Sequence, residues 1–169
     1  MSFKINYFTH IKCTVIAGLM GIILRDYMNT VVQSFIMENF FLFDGPFPVI
    51  VFYLCIVLFM VPISIIHEFI HGTVYRLFGG KVKYGFKGIY AYTQEISGRP
   101  LSKLQFFIVL VSPVVLISSL GTIIGGWIGG MIFILNFLGS AGDIYMAAVL
   151  LRYKNGCKII DRSYGFDII

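Results

Sequence analysis

The chain has 169 residues, of which 58% are hydrophobic and 12% charged, with a net charge of +5. A soluble domain usually carries about 25% charged residues, so the composition excludes that class, and continuous rather than alternating apolar runs disfavour a β-barrel. The basic excess falls in two clusters that flank apolar runs (Lys81, Lys83, Lys87, Arg99 and Lys103, then Arg152, Lys154, Lys158 and Arg162), with no nucleic-acid-binding motif, so it reads as a membrane-topology signal and no nucleic-acid partner is expected.

The expected architecture is an all-α polytopic membrane protein forming a single domain over 1–169. It has about four transmembrane helices and a small β-hairpin-like cytoplasmic segment around 81–95. The opening stretch, MSFKINYFTHIKCTVIAGLMGIIL, has a basic front and an apolar body, as a signal peptide would. No small-x-small cleavage site follows and Arg25-Asp26 comes next, so it reads as a retained helix. The first span covers roughly 10–36, interrupted by that charged pair. A polar turn is expected at DGPFP, residues 44–48. The second span runs from about Pro48 to Phe78, longer than the ~20 residues a bilayer needs. Pro62 can kink it, and Gly79-Gly80 ends it.

Residues 79–103 form the long polar segment. Within it, KVKYGFKGIYAYTQE alternates in part and predicts a hairpin turning near Lys87-Gly88. Between Lys103 and Arg152 the only charge is Asp143. As one helix those residues would extend roughly 70 Å, against a hydrocarbon core of about 30 Å. The run must therefore fold back once, and GTIIGGWIGG, with Trp127 suited to the interface, is the place. Gly121, Gly125 and Gly129 also suit close helix packing. Cys13, Cys55 and Cys157 are far apart and form no C-x-x-C. Four spans put 79–103, 152–169 and the N-terminus on one side, which the positive-inside rule makes cytoplasmic.

His67-Glu68-Phe69-Ile70-His71 is an H-E-x-x-H. On a helix the two histidines share a face and can bind one Zn²⁺, with Glu68 beside them as general base for a zinc-activated water. By chance such a match occurs on the order of once in a thousand sequences of this kind. The cost of burying charge points the same way. An ionisable group at a helix centre costs roughly 2.5–3.5 kcal/mol, so Glu68 and Asp143 must face inward and find a partner, and a shared cation serves both. His71 and Asp143 precede the ends of their spans by eight and nine residues, which puts both about 12–14 Å below one surface. Asp143 is accordingly the expected third ligand, with a helix-packing contact as its plainer role. Asn136, seven residues before Asp143, falls on nearly the same face, and Ser112 lies near the depth of the histidines. Each is a candidate to orient substrate or steady an oxyanion, with interhelical hydrogen bonding as the alternative for Asn136 and a local opening of the helix at Pro113 beside Ser112.

HEFIHGTVYRLFGGKVK, VSP in the third span and NFLGSAGDIYM in the fourth resemble a family of small bacterial membrane proteins described as putative zincin peptidases. More distantly they are similar to site-2-protease-type intramembrane metalloproteases. The resemblance extends from about Pro48 to Asp161. It implies zinc held by His67, His71 and Asp143, with Glu68 catalytic. Site-2 proteases carry their third ligand in an N-P-x-P-x-D-G-like element. Here Asn136 and Asp143 are present, the prolines are absent, and Ile144 follows the aspartate. The expected function is a zinc-dependent metalloprotease within the bilayer, acting on a membrane or membrane-proximal protein or peptide. The alternative is a non-hydrolytic zinc protein with a structural or sensing role. A transporter ranks last for want of an internal repeat.

Overall fold

The computed structural model describes residues 2–39, 47–87 and 90–169. Most of the turn expected at DGPFP and the hairpin tip at 88–89 lie outside them. The chain begins with a short strand, β1 (Ser2–Lys4), then helix α1 (Tyr7–Ile23). Asn6 starts α1 through a capping box: its side-chain oxygen accepts the Thr9 amide at 3.0 Å, and Thr9 Oγ1 accepts the Asn6 amide at 3.2 Å. Helix α2 (Arg25–Asn39) leaves α1 at 67°. The expected first span is thus two helices, broken where the charges lie. At the break the Arg25 and Asp26 side chains are 78% and 91% exposed and pair with each other at 3.6 Å.

Helix α3 (Phe47–Leu77) runs through Pro62 and stops at Gly79, whose φ of 81° suits a residue without a Cβ. The hairpin follows as expected: β2 (Val82–Lys87) pairs antiparallel with β3 (Tyr90–Glu95), Val82 opposite Glu95. A two-residue strand, β4 (Leu101–Ser102), leads into α4 (Lys103–Ile124), which Ser102 and Gln105 cap reciprocally. The run turns back at Gly125, as expected; its φ of 67° and ψ of −171° are open essentially to glycine alone. Helix α5 (Gly126–Gly139) then returns along α4 at very short range. A Cβ on Gly129 would sit 2.2 Å from the Gly121 carbonyl oxygen, so these two glycines serve packing while Gly125 makes the turn. Helix α6 (Ala141–Leu151) is inclined 48° to α5, so the expected fourth span is also broken, at Ser140. Helices α3 and α4 are each long and apolar enough to cross a membrane, and up to four crossings result if each bent pair counts as one.

The all-α expectation is corrected at the chain ends. Strands β5 (Lys158–Arg162) and β6 (Gly165–Ile168) join β1 and β4 in an antiparallel sheet of order β1-β6-β5-β4. These strands have two to five residues each, too short for a clear alternating pattern. Their stability comes from burial: Ile159 and Phe166 are fully enclosed with Tyr75, Leu101, Phe106, Val109, Leu110, Ala147 and Leu150. This core welds the sheet to one end of α3, α4 and α6. It gathers the N-terminal strand and both basic segments at that end, with Ser102 opposite Lys158 and Lys103 Nζ donating to the Tyr153 carbonyl at 2.6 Å.

Two carboxylates at this end, Glu95 buried and Asp161 half-buried, behave differently. Burial works against the charge of Glu95, but the Ser97 hydroxyl and the amides of Ser97, Lys81 and Gly98 outweigh it and hold its pKa below the ordinary range. Asp161 has fewer donors, the Glu95 amide at 3.3 Å, the Tyr75 phenol and the Arg162 amide, so burial dominates and its pKa is pushed up to about 6. The unfolded chain releases this proton at the ordinary 3.8. The contribution of this group to stability is therefore full below about pH 4 and is lost as pH rises through about 6, roughly 3 kcal/mol in all. Asp161→Asn keeps the hydrogen-bond acceptor and should remove that decline, leaving the variant the more stable one at pH 7. Chemical denaturation in detergent at pH 4 and pH 7 measures it; the same pH slope in both proteins would contradict the assignment.

Candidate metal centre

His67 and His71 stand one turn apart on α3, their ring centroids 4.8 Å apart. His71 is buried, and its Nδ1 lies 2.8 Å from the carbonyl oxygen of Val109 on α4. An oxygen there can only accept, so Nδ1 carries the hydrogen. His67 Nδ1 lies 3.1 Å from Asn136 Oδ1 on α5. The other end of that amide donates to the Pro113 carbonyl at 3.2 Å and to Ser118 Oγ at 3.1 Å, which identifies the end facing His67 as oxygen. His67 Nδ1 is therefore also a donor.

In the neutral rings each Nε2 is left with a bare lone pair, and both point at Asp143 on α6. The two Nε2 atoms are 3.1 Å apart. Asp143 Oδ2 is 3.0 Å from His67 Nε2, and Oδ1 is 3.5 Å from His71 Nε2. Three acceptors converge with no donor among them, which requires a positive charge between them. One ligand atom from each residue lies within 4.8 Å of the others. Tetrahedral zinc with bonds of about 2.0–2.1 Å spaces its ligand atoms about 3.3 Å apart, close to the 3.1 Å between the two Nε2 atoms and to the 3.0 Å and 3.5 Å from His67 and His71 to the nearer carboxylate oxygen of each.

Glu68 is half-buried beside these groups, within electrostatic reach of all three. Its backbone carbonyl accepts the Thr93 hydroxyl of β3 at 2.6 Å. The hairpin is thereby pinned along α3, and further on Tyr84 stacks on Phe69 and receives Arg76 over its ring.

The structure brings His67, Glu68, His71 and Asp143 together, as the sequence predicts. Asn136 and Ser112 make hydrogen bonds within the protein. Asn136 is 2% exposed, and both its amide hydrogens and its oxygen are taken by protein partners, as a buried amide demands. The Ser112 hydroxyl donates to the Ile108 carbonyl of its own helix. Two contributors lie beyond the sequence prediction, the Val109 carbonyl and Thr93. A backbone carbonyl has no residue signature, and Thr93 is one of several polar residues in an alternating strand.

Two histidines from one helical turn and a carboxylate from a distant helix, each imidazole steadied from behind by a hydrogen bond, form a three-residue group that could hold a metal ion. A family model described as "Putative zincin peptidase" matches residues 58–158. The chain belongs to that family, and zinc is the metal the family implies. No curated protein and no solved structure matches the chain significantly.

Proposed function

We propose that the protein is a zinc-dependent, membrane-embedded metallopeptidase that hydrolyses peptide bonds of a membrane or membrane-proximal protein. The observation that carries this reading is the convergence of two bare Nε2 lone pairs and the Asp143 carboxylate beside Glu68. His67, His71 and Asp143 would hold the ion. Bound zinc supplies Lewis acidity, which acidifies water to a pKa near 7 and polarises a carbonyl. Glu68 accepts the proton of the attacking water and returns it to the leaving amide nitrogen. Asn136 and the Val109 carbonyl keep both rings oriented throughout.

A substrate helix must unwind before it is cut, because its carbonyls are already hydrogen-bonded. Among the described residues the β2–β3 hairpin pairs with no third strand. Its position against Glu68 supports it as the edge that receives an unwound substrate as an added strand. The basic segments and both termini belong to the cytoplasmic side. A tag on the C-terminus should be accessible in inside-out vesicles and protected in right-side-out ones; the reverse result would invert the topology.

A closed structural zinc site is the competing reading. Among the described residues the cluster offers three ligands, and a fourth position left to water favours catalysis. Purified protein should carry about one zinc per chain. Chelation should abolish cleavage of a membrane-peptide reporter in proteoliposomes, and added zinc should restore it. Cleavage that persists at full rate after the metal is removed would end the proposal.

A further inference from the structure

We propose that Pro113 is a positioning residue for the metal centre: its missing N–H leaves the Val109 carbonyl to orient His71, and its own carbonyl anchors the Asn136 amide that orients His67. This rests on the reading of His67 and His71 as metal ligands and is independent of hydrolysis.

In an uninterrupted helix the N–H of residue 113 would donate to the carbonyl of residue 109. Proline has no N–H, and its ring crowds that same carbonyl and turns it aside. α4 stays helical through this point, and Val109 and Pro113 are both almost completely enclosed, so water does not take up the orphaned oxygen. Prolines persist inside apolar helices where a neighbour satisfies the freed group. Here the neighbour is His71 Nδ1, at 2.8 Å.

One turn further along the same face, the Pro113 carbonyl accepts from Asn136 Nδ2 at 3.2 Å, and Asn136 Oδ1 accepts from His67 Nδ1 at 3.1 Å. Two carbonyls four residues apart stack along one side of a helix, and here they match the spacing of His67 and His71 on α3. Both rings are thereby set to the tautomer whose Nε2 lone pair faces Asp143, the form able to bind metal. An alanine at 113 would return the N–H, which would compete for the Val109 oxygen and free His71 to take the Nε2–H form.

The test uses full-length protein in detergent, with two readouts. Zinc affinity is measured by competition with a chromogenic chelator. Side-chain ¹⁵N resonances of the histidines in metal-free protein report each tautomer. Wild type should show Nδ1–H at both His67 and His71. Pro113→Ala should lower zinc affinity 10–100-fold, the range for partners that orient a ligand, and His71 should lose the Nδ1–H signature. Its thermal stability should hold or rise, since alanine suits a helix better than proline. Asn136→Leu should shift the His67 signature and leave that of His71. A Pro113→Ala protein within threefold of wild-type affinity overturns the proposal. So does a wild-type His71 that lacks the Nδ1–H, which stands as a test even if the variant does not fold. Neither readout depends on peptide cleavage, so a failure of the peptidase reading would be seen separately.

Discussion

Glu68→Gln is expected to retain zinc with an affinity close to wild type while peptide hydrolysis falls by about 10²–10⁴-fold, the usual contribution of a general acid–base group. Glutamine preserves the shape of the side chain. The residue's structural anchor is its backbone carbonyl, which takes the Thr93 hydroxyl and is untouched by the change. The three ligand-bearing residues do not include it. What disappears is the ability to accept a proton from water and to deliver it to the leaving nitrogen. Metal analysis and turnover of a membrane-peptide reporter on the same preparation separate the two effects. Turnover within tenfold of wild type would remove Glu68 as the base, and loss of zinc would make it a ligand instead.

The second large effect is expected at Asp143. Asp143→Ala deletes the anionic member of the cluster and its link from α6 to the histidine pair, leaving two neutral rings whose lone pairs face each other at 3.1 Å. Zinc affinity should fall by on the order of 10³-fold, a share of the 10–16 kcal/mol measured for complete sites. Because a ligand that binds only the folded state stabilises it in proportion to the logarithm of its concentration over Kd, the rise in melting temperature on adding zinc should nearly vanish. Thermal melts with and without zinc provide the measurement. A zinc-dependent rise as large as in wild type would place the third ligand elsewhere. His67→Ala and His71→Ala should behave in the same way.

Much of this protein is written locally. The H-E-x-x-H names its metal class by residue type and by a four-residue spacing that any helix converts into one face. The expense of a lone carboxylate in an apolar run singles out Asp143, and the geometry places it against both imidazoles. The stop at Gly79, the reversal at Gly125 and the pairing of residues 82–87 with 90–95 are legible because glycine conformation and strand alternation are short-range properties.

What the linear order of residues does not carry is the partner of each group across the fold. The breaks at Leu24 and Ser140 turn two expected rods into bent pairs. The sheet made from residues 2–4, 101–102 and 158–168 forms because strands remote along the chain find one another and enclose Ile159 and Phe166, an energy that no single segment possesses. The hydrogen bond between Asn136 and His67 depends on the fold for the same reason: which hydrogen bond a buried amide makes depends on which helix is packed against it. Residue type and spacing set the chemistry that is available. Long-range packing sets which atoms meet, because burial and hydrogen-bond satisfaction are properties of neighbours in space.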